Sequence, residues 1–450
     1  HHVARDLQEA GVMALRAGVD EDLGGKAYAQ LIAAVKDGKV SEKEIDQACV
    51  RILRLKFEMG LFEHPYVDVK AAAEVGCADH AAVALDAARK LVTLLKNKDN
   101  TLPLRRDMRV AVVGPNADNV YNMLGDYTPP QPDGKVKTVL EGIKAKIGEG
   151  QVEYVKGCAV RDTNNCNIEA AVEAARRADV VVAVVGGSSA RDFKTSYKAT
   201  GAAEADVKSV SDMDCGEGYD RATLSLLGRQ MELLQSLRKT GKPMVVIYIE
   251  GRPMDKSWAA ANADALLTAY YPGQEGGTAV ADVLFGDYNP AGRLPISVAA
   301  NVGQLPVYYN KRAPKPHNYV EMSAAPLYAF GYGLSYTQFA YSNLAIAKKG
   351  DAYSVTFDIK NVGERDGEEV AQLYIHDQVA SVSQPLLQLK KFDRLSIAKG
   401  ETRKVEFILT AEDLAIIDRN MKSVVEPGDF DIMVGGSSDN LPLRGVLTVE

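Results

Sequence analysis

The segment 209–221, SVSDMDCGEGYDR, gathers the groups best suited to proton transfer. One glutamate, Glu217, stands between Gly216 and Gly218, with Asp212, Asp214 and Asp220 close by in sequence. Flanking glycines permit unusual backbone dihedrals and let a large ligand come near. Neighbouring carboxylates disfavour the ionised form of Glu217, which is the direction a general acid requires. By composition alone the segment reads first as a solvated acidic loop, so its surroundings must decide. Other carboxylates have structural explanations. Asp20 fits a turn or cap at a helix–loop junction. Glu275, in PGQEGG, fits first-turn charge on the helix that follows. Glu250, which ends a strand beside Gly251, fits a domain interface or a functional role.

The elements that must position this segment are alternating strands and helices. RVAVVGP (109–115), ADVVVAVVGG (178–187), KPMVVIYIEG (242–251) and ADALLTAYYPG (263–273) are short, continuously apolar runs. The stretches 167–177 and 221–240 predict helices between them. Unbroken apolar strands joined by helical crossovers predict a parallel sheet covered on both faces. Ligands of such sheets sit beyond the carboxyl ends of the strands. The acidic segment leaves the carboxyl end of the second run, at Gly186-Gly187, which favours the functional reading. Gly186-Gly187-Ser188-Ser189 is no phosphate cradle, because the chain has neither GxGxxG nor GxxxxGK[ST] there.

Helices also precede the strands. Residues 1–20 run directly into helical periodicity without a leader, as if the chain opened inside a domain. Ser41 and Glu44 form a capping box for a helix carrying Ile45, Ala48, Ile52, Leu55 and Phe57. Asp79 begins another helix, through Val92. From about Tyr341 the pattern alternates apolar and polar residues in 353–363, 368–377, 402–410 and 429–436, which predicts a β-sandwich of immunoglobulin or fibronectin type.

Composition narrows the functions. The chain has 450 residues, enough for two or three domains at roughly 150 each. A net charge of −7 argues against non-specific binding to nucleic acid. No apolar run approaches the ~18 residues that span a bilayer. Five cysteines show neither a CxxC pair nor metal-ligand spacing, and the six histidines are equally scattered. Cys158 and Cys166 fit a disulfide in an oxidising compartment or two free thiols. Trp258, the single tryptophan, follows a strand and fits the core.

Taken together, several stretches resemble glycoside hydrolase family 3, the β-glucosidase and β-xylosidase family. EAGVMALRAGVDEDLGG (9–25) and VSEKEIDQACVRILRLKFEMGLFEHPY (40–66) are similar to the segments that follow the family's first, barrel domain. DAARKLVTLLKNKDNTLPL (86–104) is similar to its linker. YYPGQEGGTAVADVLFGDYNPAGRLPISV (270–298), FGYGLSY (330–336), LSIAKGETRKVEFILT (395–410) and VVEPGDFDIMVGGSS (424–438) resemble later blocks, in the family's order. The resemblance implies an α/β class protein in five parts. These are helices closing a TIM-like barrel (1–66), a linker (67–104), a mostly parallel α/β sandwich (105–300), a loop-rich connection (301–340) and a fibronectin type III-like sandwich (341–450).

The resemblance also implies a retaining exo-β-glycosidase, with a β-glucosidase ahead of a β-xylosidase. CGEGYDR (215–221) resembles the loop that carries the family's acid/base, which puts that role on Glu217. The Ser-Asp-Trp-like motif of the nucleophile and the substrate-holding Lys-His element are absent from these residues. The nucleophile is therefore expected on an upstream barrel that the activity requires. Tyr219 would stack on or hydrogen-bond a sugar, or pack locally. Arg191 and Lys194 would line a leaving-group subsite or neutralise the loop, and Asp220 with Arg221 would pair to start the next helix. The implied partner is a β-linked glucoside or oligosaccharide, with no cofactor, metal, nucleic acid or membrane. A homodimer is left open, and a secreted or periplasmic location follows from the family. A non-catalytic carbohydrate-binding module is the alternative of another class.

Overall fold

The computed structural model describes residues 2–190, 212–218, 220–312 and 318–450. It divides into two units, residues 1–77 and 78–450. In the first, α1 (Leu7–Arg16), α2 (Leu31–Lys36) and α3 (Glu42–Glu58) enclose Val12, Leu15, Leu31, Ala34, Val40 and Ala48. The capping box of α3 forms as expected, the Ser41 side chain accepting from the Glu44 amide and Glu44 reaching back to the Ser41 amide. Leu55 and Phe57, expected on the packed face with Ala48, are exposed. Asp20, expected as a turn or cap, instead pairs with Arg51 at 2.5 Å.

The second unit opens with α4 (Ala78–Leu91), which runs into strand β1 (Thr93–Asn97). There follow β2 (Val110–Val113), α5 (Val120–Leu124), α6 (Val139–Ile147), β3 (Val152–Val155), α7 (Ile168–Arg177) and β4 (Val180–Gly186). Then come α8 (Gln230–Arg238), β5 (Met244–Ile249), α9 (Ser257–Asn262), β6 (Ala265–Tyr270) and α10 (Gly276–Phe285). The six strands form one sheet in the order β1-β6-β5-β4-β2-β3, parallel except for β1 on the edge. The sheet thus begins at Thr93, inside the stretch expected as a linker, and gains β3, which the sequence did not reveal.

Both faces of the sheet are covered, which is why its strands are apolar without alternation. Val180, Val182 and Val184 join Val110 and Val112 in one core with residues of α6 and α10. Val181, Ala183 and Val185 point the other way, into a core shared with α7 and α8. The helix expected over 221–240 occupies only Gln230–Arg238. Residues 220–229 are irregular, and within them Arg221 turns back to Asp214 of the acidic segment.

The remainder is a β-sandwich. β7 (Phe339–Lys349), β8 (Ala352–Asn361), β9 (Gly367–Asp377), β10 (Gln388–Ile397) and β11 (Thr402–Leu409) are followed by a minor pair, β12 (Ile416–Ile417) with β13 (Ser423–Val424). β14 (Gly428–Gly435) and β15 (Leu443–Val449) complete it. Sheets β10-β9-β14-β15 and β11-β8-β7 enclose Val355, Phe357, Ile359, Leu373, Ile375, Ile432 and Val434.

Candidate functional site

The carboxyl end of β4 is held by three neighbours. Gly186 has φ 140°, and a Cβ there would meet the Ile249 carbonyl oxygen at 1.9 Å, so only glycine lets β4 and β5 approach this closely. The buried Gln230 side chain accepts from the Gly186 amide and donates to its carbonyl, both at 2.9 Å. Asn116, beyond β2, donates to the carbonyls of Gly187 (3.1 Å) and Ile249 (3.3 Å). Asn122 donates to Asn116 (2.7 Å) and accepts from the Ser188 hydroxyl (2.6 Å). These buried polar groups satisfy one another, which fixes the platform from which the acidic segment rises.

Onto this platform the segment is fastened by its aspartates. The Asp214 amide donates to the Ser188 carbonyl (2.8 Å), and the Ser188 amide donates back to the Asp214 carboxylate (3.0 Å). Arg221 Nη1 reaches the other Asp214 oxygen at 2.5 Å, with both side chains almost fully buried. Asp212 accepts from the Val160 amide (3.0 Å), with Lys156 at 3.9 Å. Arg161 donates to the Met213 carbonyl at 2.7 Å. Asp220 accepts from the Arg221 amide (2.8 Å) and from Arg252 (3.0 Å). Despite partial burial, these donors hold the Asp220 carboxyl below its ordinary range.

Each of the three aspartates has its own donors or cation, and together these contacts fold the loop. One expectation changes. Asp220 and Arg221 do not pair side chain to side chain, and they do not start a helix. Arg221 turns inward to Asp214, and Asp220 turns to Arg252.

Glu217 stands exposed at the loop's tip, followed by Gly218 in the left-handed region at φ 95°. Its Oε2 accepts a hydrogen bond from the Tyr127 hydroxyl, brought there by the loop after α5. Tyr127 itself has φ 59° and is exposed, its amide bonded to the Asp126 carboxylate (2.7 Å). The sequence reading missed Tyr127; the signal was its place after β2, at the same carboxyl edge as the acidic loop. A carboxyl group in this position can give a proton to, or take one from, a ligand beyond the strand ends.

Other expected residues lie elsewhere. Tyr219, Arg191 and Lys194 fall outside the described residues. Glu250 is inside the fold, not at an interface. It pairs with the equally buried Lys256 at 2.5 Å and accepts from Thr268 (2.7 Å) and the Met254 amide (3.0 Å). Glu275 occupies the N-cap position of α10, where it accepts from the Thr278 hydroxyl at 3.2 Å. Trp258 is partly buried against the α7–α8 core. Cys158 and Cys166 are free thiols. Among the described residues no cluster of histidine, cysteine, aspartate and glutamate is placed to hold a metal ion, and no helix is long and apolar enough to cross a membrane.

Comparison with known proteins matches residues 92–336 to the glycosyl hydrolase family 3 C-terminal domain and residues 369–438 to the fibronectin type III-like domain. A β-xylosidase of Formosa agariphila is 38% identical over all of the chain and 62% of its own length. A periplasmic β-glucosidase of Salmonella typhimurium is 34% identical, over 97% of the chain and 60% of its own length. The crystal structure of a Listeria innocua β-glucosidase in complex with isofagomine superposes with a TM-score of 0.88 at 30% identity, covering the whole chain and 61% of that protein. The chain therefore spans about three fifths of the length of the relatives it matches.

Proposed function

The chain belongs to glycoside hydrolase family 3, and from that premise we propose that it serves a retaining exo-β-glucosidase, with Glu217 as the general acid/base. The observation that carries this reading is the exposed Glu217 carboxylate, held on a fastened loop beyond the carboxyl end of β4 and hydrogen-bonded to Tyr127.

In the proposed reaction an aspartate nucleophile attacks the anomeric carbon of a terminal β-glucosyl unit. The glycosidic bond breaks as Glu217 gives its proton to the departing oxygen. Glu217, now ionised, takes a proton from water, which attacks the same carbon and frees the nucleophile. Retention requires the two carboxyl groups ~5–5.5 Å apart. We assign the nucleophile to a barrel domain upstream, with residues 1–66 as that domain's closing helices. The name of the Salmonella relative supports an extracytoplasmic location. A β-xylosidase is the second reading, favoured by the 38% identity to the Formosa protein of that name.

The test is the leaving-group dependence of Glu217→Gln in the full-length protein. Removing a general acid is expected to lower kcat/KM roughly 10²–10⁴-fold for an alkyl β-glucoside. A 2,4-dinitrophenyl β-glucoside, whose leaving group needs no proton, should lose far less in the glycosylation step. Equal activity of the variant and the parent on both substrates would remove Glu217 from the role. Parallel assays of the matched β-xylosides decide between the two specificities.

A further inference from the structure

We infer that the buried Asp214–Arg221 pair is a clamp that positions Glu217, closing the short loop at whose tip the carboxylate stands. This rests on the acid/base reading of Glu217. The two residues bracket the loop, Asp214 three positions before Glu217 and Arg221 four after. Their side chains meet at 2.5 Å with exposures of 0% and 5%, so the loop's two ends are joined beneath its exposed tip.

Each partner is tied to a different part of the platform. Asp214 is bonded through its amide and its carboxylate to Ser188, directly beyond the end of β4. Arg221 donates to the carbonyls of Ser225 and Thr223 and contacts the Met254 sulfur at 3.8 Å, beyond β5. The guanidinium fork thus ties its own stretch, 221–225, to Asp214 and to Met254. A lysine would carry the charge but not that geometry. The aspartate cannot be freed cheaply either, because separation leaves a buried charge without its partner. Both side chains are buried, so neither is presented to a ligand. Their effect on proton transfer runs through the placement of Glu217.

A double-mutant cycle in the full-length protein tests this, using Glu217→Gln and Arg221→Ala with the two glucosides named above. Arg221→Ala is expected to lower kcat/KM on the alkyl glucoside at least thirtyfold more than on the dinitrophenyl glucoside. In the Glu217→Gln background it should add less than threefold on the alkyl substrate, because the group it positions is already gone. Arg221→Lys should show the same preference in weaker form, and it carries the test if the alanine variant fails to fold. Equal losses on both substrates, or losses that multiply in the double variant, would overturn the clamp and make the pair merely structural. If Glu217→Gln alone alters neither substrate, the acid/base reading fails instead, a result distinct from failure of the clamp.

Discussion

The loop that carries Glu217 is built on buried residues. Cys215, two positions before it, is buried, and that burial, followed by the charge of Asp214, pushes its thiol up to about 12. Cys158 is likewise pushed up to about 12 by burial, whereas Cys49 is exposed. The thiolate is the reactive species. Both raised groups keep their protons until well above the ordinary value of 9 given for a thiol. At pH 8 a disulfide reagent should therefore label Cys49 rapidly, and Cys158 and Cys215 only as the fold opens. Labelling of Cys215 at the rate of Cys49 in the native protein would mean that the loop is not fastened as described. The same residues show what the sequence revealed. It showed an acidic segment around Glu217, but not the donors that fasten its aspartates. Local spacing shows which charges are near in the chain and not which cations fold in from afar, such as Arg252 onto Asp220. The pairing of Tyr127 with Glu217 was hidden for the same reason, the two being ninety positions apart.

At the scale of elements, the parallel sheet was legible because both of its faces are buried and its strands are continuously apolar. The edge strands β1 and β3 were not. β1 follows directly on the helix read through Val92, inside the stretch expected as a linker, and β3 has only four residues, all partly buried. How the helices pack on the sheet was also hidden. α6 and α10 cross so closely that a Cβ on Gly142 would stand 2.0 Å from the Gly277 carbonyl oxygen, and one on Gly277 would stand 1.9 Å from that of Thr138. Backbone cannot yield as a side-chain tip can, so Gly142→Ala forces the helices apart. Overpacking of this kind costs about 1–3 kcal/mol or more. The thermal midpoint of Gly142→Ala should fall by several degrees. Gly150→Ala, where an added Cβ meets nothing within 4 Å, should leave it within a degree of the parent. Equal midpoints for the two variants would show that this crossing has room to spare.

At the scale of the molecule, the loop-rich stretch between the sheet and the sandwich joins the two layers. Asn289 donates to the Asp366 carbonyl (2.9 Å) and accepts from Ser335 (2.8 Å), while Tyr288 donates to Glu368 (2.7 Å). Gln372 of β9 donates to the carbonyls of Gly331 (3.2 Å) and Gly436 (2.6 Å). At the centre, Arg293 meets Glu369 at 3.0 Å, with side-chain exposures of 10% and 7%. Burying this pair costs desolvation of both charges, so its presence is weak evidence of net stability, but removing one partner strands the other. Glu369→Ala should therefore destabilise the second unit by about 3–5 kcal/mol. The loss falls at the seam between two layers that each keep their own hydrophobic core. Calorimetry should accordingly resolve a sandwich transition that separates from, and precedes, that of the α/β layer. Replacing both residues with apolar side chains of similar volume should recover most of the loss, since no unpaired charge remains. If Glu369→Ala melts in one transition at the parental midpoint, the ion pair does not couple the layers, and the coupling rests on the other contacts, the Tyr288, Asn289 and Gln372 hydrogen bonds among them.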